Sequence, residues 1–172
     1  MGSFAQPVIE LARSHSVWAA PVVFALAFCE SFAFVSLLVP ATVILFAVGG
    51  LIGLSGIEYW SIWMAAAAGA TAGDWLAYDL ATRFQNRIVH VWPLSRRPEL
   101  VSRGFTFFRR WGVAAVFVGR FLGPLRAIVP IAAGVCGMGW MKFQVANATS
   151  AIVWATGILA PGILGMRWWI GG

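Results

Sequence analysis

The chain has 172 residues, 60% of them hydrophobic and 10% charged, with a formal net charge of +6 and a mean hydropathy of +0.83. Soluble domains run at roughly 45–50% apolar and about 25% charged residues, so this composition excludes an ordinary soluble fold and indicates a single integral membrane domain. The positive charge does not indicate nucleic acid, because it is concentrated in one place: Arg83, Arg87, Arg96, Arg97, Arg103, Arg109 and Arg110 lie between positions 83 and 110, opposed there by Glu99 alone.

Residues 1–16 read as a short interfacial helix. Phe4, Val8 and Leu11 share one helical face, and Arg13 leads into a long apolar run without a clear cleavage site, a poor match to a signal peptide. Apolar stretches follow at roughly 17–39, 40–57, 60–81, 111–137 and 140–165. A helical crossing needs about 20 residues, a requirement that 60–81 and 140–165 meet. The others are interrupted or short: 17–39 carries Pro21 and Glu30 and ends at Pro40, and 111–137 contains Gly123, Pro124 and Pro130.

This arrangement predicts two halves, 17–81 and 111–170, each a broken, polar-bearing hairpin followed by a cleaner span. Paired interrupted segments point to inverted repeats with a site at the bilayer midplane, where non-helical backbone survives only if buried or lining a cavity. The expected fold class is therefore all-α integral membrane: two inverted pseudo-repeats, each a re-entrant helical hairpin plus a transmembrane helix, with short amphipathic helices. Between the halves, 82–110 reads as a basic cytoplasmic loop whose natural partner is anionic lipid.

Trp60, Trp63, Trp111, Trp140, Trp168 and Trp169 stand near the ends of apolar runs, where amphipathic rings favour the headgroup level. Cys29 and Cys136 lie within apolar segments and read as packing residues. Gly69/Gly73 and Gly119/Gly123 have the four-residue spacing that lets helices approach closely. The sequon at Asn147 falls inside an apolar span and is discounted as a glycosylation site.

The chemistry centres on "GRFLGPLRAIVPIAAG", residues 119–134. Arginine in mid-membrane is costly, about 2.5–3.5 kcal/mol on insertion scales. On an unbroken helix Arg120 and Arg126 would point about 120° apart. Each is followed four residues later by a proline (Pro124 and Pro130), which removes the helical partner of that arginine's carbonyl. The segment should therefore open around 122–130 and turn both guanidiniums inward, where their forked donors suit the oxygens of phosphate or carboxylate.

The candidate intramembrane carboxylates are Glu30 and Asp74; Glu10 and Glu58 look interfacial, and Asp79 should pair with Arg83 one helical turn away. Intramembrane ionisable residues are functional candidates by default, which singles out Glu30, Asp74, Arg120 and Arg126. A structural reading, in which the arginines pair with buried carboxylates to hold the fold, stands beside the anion-site reading. His15 and His90 are the only histidines, and no clustered nucleophile, base or metal set is visible. Catalysis, a metal and a cofactor are not expected.

Three ordered motifs resemble the DedA family, related to the SNARE-associated Golgi or VTT-domain membrane proteins. "GRFLGPLRAIVPIAAG" is similar to the family's G-R-F-x-P-x-x-R segment, although Gly123 precedes the proline here. "ESFAFVSLLVPAT" (30–42) is similar to its glutamate followed by P-G-(D/E), and "AGATAGDWLAYDLATRF" (68–84) to its G-D-x-x-x-Y segment. The resemblance covers about 20–165 and implies two facing re-entrant hairpins in a bacterial inner-membrane protein.

It also implies translocation of a lipid phosphate, notably undecaprenyl phosphate, driven by the proton-motive force. Glu30, Arg120 and Arg126 then stand at required charged positions, with Pro40, Gly123, Pro124 and Pro130 shaping the pocket backbone. Ala41 and Thr42 replace the glycine and second acid of the pattern, leaving one carboxylate fewer.

In the expected mechanism Arg120 and Arg126 receive the phosphate, with Thr42 and Asp74 in the binding set and Glu30 and Asp74 as proton-coupling groups. Protonation of Glu30 frees the arginines for the lipid. The alternative is an energy-independent phospholipid scramblase. Expected partners are the lipid phosphate, membrane lipids and protons, with self-association left open.

Overall fold

The computed structural model describes residues 16–32, 59–91, 94–123 and 125–171, with the side chains of the last helix described as far as Leu159. The interfacial helix expected at the N-terminus, Glu10, Pro40, Thr42, Glu58 and Pro124 lie outside the described residues. Among these the structure is helical throughout. The helices are α1 (Ser16–Ser31), α2 (Tyr59–Phe84), α3 (Pro98–Trp111), α4 (Val113–Gly119), α5 (Leu125–Val135) and α6 (Trp140–Gly171), with 3₁₀ turns at Gln85–His90 and Leu94–Arg96.

Helix α2 is the spine, packed against α1, α5 and α6. Its central run of alanine and glycine explains this, since small side chains let backbones approach from several directions at once. A Cβ on Gly69 would lie 2.3 Å from the Phe24 carbonyl oxygen, and one on Gly73 would lie 2.6 Å from the Phe28 carbonyl oxygen. These two glycines are the α1–α2 crossing. The other expected pair divides: Gly119 packs against the Val129 side chain, whereas Gly123 has open space around it and a φ of +52°. Gly123 is a turn residue, and its left-handed backbone rather than close packing is what calls for glycine.

Three apolar clusters run along the spine. Val23, Ile62, Ala66, Ala151 and Leu159 join α1, α2 and α6. Phe108, Val116, Val129 and Phe143 gather α3 to α6 around Tyr78, whose ring stacks on Phe143 at 4.2 Å and whose hydroxyl donates to the Met138 carbonyl. Ile88, Leu94, Ile128 and Ile131 seat the 3₁₀ turns on α5.

Between the two halves, the basic stretch expected as a connecting loop has helical structure of its own. It folds into the two 3₁₀ turns and amphipathic α3 because Leu94, Gly104 and Phe108 bury against the neighbouring helices, leaving Arg103, Arg109 and Arg110 exposed. Pro98 opens α3 at a position where a missing N–H costs nothing, and Glu99 and the terminal arginines complement the helix dipole.

The predicted opening around 122–130 is narrower in the structure. Helix α4 ends at Gly119, the chain turns through 120–123, and α5 then runs through Pro130 to Val135. Pro130 does not break the helix. It removes one hydrogen bond, and complete burial on both sides, from Ala127 to Gly134, holds the helix across that gap.

No helix among the described residues is both long enough and apolar enough to qualify as a membrane span. The segments expected to cross do form helices of 26 and 32 residues. Their hydropathy is lowered by Asp74, Asp79 and Arg83 on α2 and by Lys142, Gln144 and Asn147 on α6. The distribution of these groups is nevertheless inverted relative to a soluble protein: Glu30, Asp74, Arg120 and Asn147 are buried, while Trp60, Met64, Trp75, Met141, Val145, Ile152 and Val153 are exposed. Trp60, Trp111 and Trp140 sit exposed at helix ends, and Trp63 donates to Thr156 Oγ1 at 3.0 Å. Cys29 is half-buried, but Cys136 is exposed in the turn after α5 and does not pack as expected.

Candidate functional site

Four of the residues singled out from sequence meet in two buried ion pairs. At the end of α4, Arg120 is 4% exposed, and its Nη2 donates to Asp74 Oδ2 on α2 at 2.5 Å. The same nitrogen donates to Asn147 Oδ1 on α6 at 2.5 Å, and Nε donates to Ser150 Oγ at 3.0 Å. Asn147 is itself fixed, its amide donating to the Thr71 carbonyl on α2 at 3.0 Å. Arg120 Nη1 is buried without a hydrogen-bond partner among the described residues.

The second pair is made by the next helix. Arg126, in the first turn of α5, donates from Nη1 to Glu30 Oε1 at 2.6 Å and from Nη2 to Ser31 Oγ at 3.0 Å, both at the end of α1. Its guanidinium lies over the indole of Trp154 on α6, 5.1 Å from the ring centroid. Cation and ring attract because the aromatic face is electron-rich.

The turn at 120–123 makes this arrangement possible. It moves Arg126 off the helix that carries Arg120, so each guanidinium reaches a different carboxylate. One acid shared by both arginines was expected; the structure instead gives Arg120 to Asp74 and Arg126 to Glu30.

The pairs are neighbours all the same. Ser150, which holds Arg120, and Trp154, which faces Arg126, are four residues apart on α6, about 6 Å along its axis. At the α1–α2 crossing, a Cβ on Gly73, next to Asp74, would lie 2.9 Å from the Ser31 Cβ.

Asp79 does pair with Arg83, at 2.9 Å, and the arginine side chain is 71% exposed, as befits a helix surface. Among the described residues no three His, Cys, Asp or Glu side chains gather as a metal site would require. Sequence reasoning missed Ser31, Asn147, Ser150 and Trp154. The signal was present in Asn147 and Ser150, polar residues three positions apart inside an apolar span, on one helical face.

Residues 39–164 match the VTT domain family. The inner membrane protein YabI of Escherichia coli (strain K12) is 33% identical over 150 residues, which are 87% of this chain and 59% of YabI. The uncharacterized membrane protein Rv2637 of Mycobacterium tuberculosis is 38% identical over 100 residues, 56% of this chain and 46% of that protein. The inner membrane protein YghB of Salmonella typhimurium is 29% identical over 142 residues, 82% of this chain and 65% of YghB. The chain spans less than two thirds of the length of these relatives. No solved structure matches it. The extent of the domain match and the likeness to YabI agree with the buried charges and apolar exterior: the chain is a membrane protein of the VTT-domain, or DedA, family.

Proposed function

We propose that this protein translocates an anionic lipid, undecaprenyl phosphate first among candidates, across a bacterial inner membrane in exchange for proton movement. The observation that carries this reading is the pair of adjacent, buried arginine–carboxylate contacts on one face of α6. Charges at such depth are expensive and mark substrate or proton paths. A phosphate monoester carries about −1.5 to −2 at neutral pH, enough to compete for two guanidiniums.

Protonation of Glu30 removes the charge that holds Arg126 and lets its fork turn to the phosphate. Arg120 Nη1, buried and without a partner among the described residues, is a second donor for the same headgroup. Asp74 keeps Arg120 in place, and loss of the proton to the other side returns Glu30 to Arg126 and expels the lipid. The short helices α4 and α5, of 7 and 11 residues, span about 10 and 16 Å, consistent with a re-entrant hairpin in a hydrocarbon core of about 30 Å. In this reading α3 and its arginines face the cytoplasm.

The test is translocation of a fluorescent polyprenyl phosphate in liposomes with and without an imposed proton gradient. The native protein should depend on the gradient, and Glu30→Gln should abolish that dependence. Arg126→Lys, which keeps the charge and loses the fork, should lower the rate. Gradient-dependent transport surviving in Glu30→Gln would remove Glu30 as the proton carrier. Equal rates without any gradient would assign energy-independent scrambling instead.

A further inference from the structure

Outside the buried pairs, the 3₁₀ turns and α3 enclose a groove of about 380 Å³ that the transport reading does not use. His90, Ser95, Ser102 and Arg109 line it above a floor that includes Leu94 and Phe105. The register of α3 explains the lining: Ser102, Phe105 and Arg109 follow one another at three- and four-residue steps and so share a face. No carboxylate lines the groove, and neither His90 nor Arg109 makes an ion pair among the described residues. Three other arginines of this region differ: Arg96, Arg97 and Arg103 border a separate hollow that includes Glu99.

We infer that this groove binds the phosphate of an anionic phospholipid from the adjoining leaflet. Arg109 supplies the charge, and the Ser95 and Ser102 hydroxyls and the His90 ring supply hydrogen bonds to the remaining oxygens. The volume is of the size that holds small polar ligands.

A membrane lipid rather than a dissolved anion is indicated by what surrounds the groove. Val91 follows His90 directly and Trp111 lies just beyond Arg109, both about half exposed. Along the same 3₁₀ turn a second cleft, of about 210 Å³, is bordered by Leu80, Phe84, Arg87, Ile88 and Val91. An exposed apolar rim beside a basic groove places both at the interfacial depth, where each basic residue strengthens the hold on anionic lipid. This site is independent of the translocation cycle.

The experiment is native mass spectrometry of the full chain in detergent micelles doped with equal phosphatidylglycerol and phosphatidylcholine. The native protein should retain phosphatidylglycerol selectively. Arg109→Gln should reduce that retention about fivefold, whereas Arg103→Gln, the same change of charge outside the groove, should leave it nearly unchanged. Ser102→Trp, which fills the groove from an exposed position and leaves every charge in place, should also expel the lipid. Equal losses in both arginine variants, or full retention in Ser102→Trp, would overturn the assignment in favour of diffuse attraction. Displacement of phosphatidylglycerol by millimolar inorganic phosphate would overturn it in favour of a soluble anion.

Discussion

Removing Asp74 is the most informative single perturbation of this fold. Arg120 is 4% exposed, and among its acceptors in the described residues only Asp74 carries charge; Asn147 and Ser150 are neutral. At a few ångströms and an effective dielectric constant near 20, the pair is worth about 4 kcal/mol of Coulomb energy. Asp74→Ala leaves a buried cation held by neutral acceptors alone, and deletions of this kind cost about 3–5 kcal/mol. For a chain of this size that corresponds to a fall in Tm of roughly 6–20 °C, followed by intrinsic tryptophan fluorescence in detergent. The double variant Asp74→Leu/Arg120→Met removes both charges and should recover most of the loss, because an apolar pair needs no compensation. If the double variant were as unstable as Asp74→Ala, the uncompensated charge on Arg120 would not be the cause of the loss.

Three glycines separate the demands of space from those of backbone conformation. Gly69→Ala places a methyl against the Phe24 carbonyl, a backbone atom that cannot step aside, and should lower Tm and broaden the elution profile. Gly157→Ala on α6 meets nothing within 4 Å and should be neutral or raise stability by up to about 1 kcal/mol. Gly123→Ala has room but the wrong φ, and should cost about 1–2 kcal/mol by the same fluorescence measurement, shared by any bulkier residue at that turn.

The charged residues of the site were legible because each violated its surroundings: Glu30, Asp74, Arg120 and Arg126 stand in apolar runs where charge is costly. Their pairing was not legible. Asp74 and Arg120 are 46 positions apart and Glu30 and Arg126 are 96 apart, and no local pattern joins them. Both prolines of the arginine segment looked equally disruptive in sequence. The turn forms at 120–123, where Gly123 supplies a left-handed residue, whereas Pro130 is enclosed by packing that carries the helix past a single missing bond. The basic stretch read as a loop because arginines dominate it, yet Leu94, Gly104 and Phe108 were enough to fold it onto α5. Asn147 was weighed only as a sequon, and its burial beside Arg120 became visible once α2 and α6 were brought together.

Both ion pairs join the first half of the chain to the second, Glu30 and Asp74 on one side and Arg126 and Arg120 on the other. Charge is not required to hold helices together there, since apolar pairs of similar volume serve as well or better. That reasoning separates a structural pair from a working one through Glu30→Leu/Arg126→Met. Methionine keeps a flexible apolar stem and a thioether against Trp154, and leucine fills the volume left by the glutamate. The variant should match or exceed the native Tm and should have lost translocation of the labelled polyprenyl phosphate. A stable variant that still moves the lipid at the native rate would show that the Glu30–Arg126 contact only fastens α1 to α5, and the phosphate-binding role of Arg126 would fall with it.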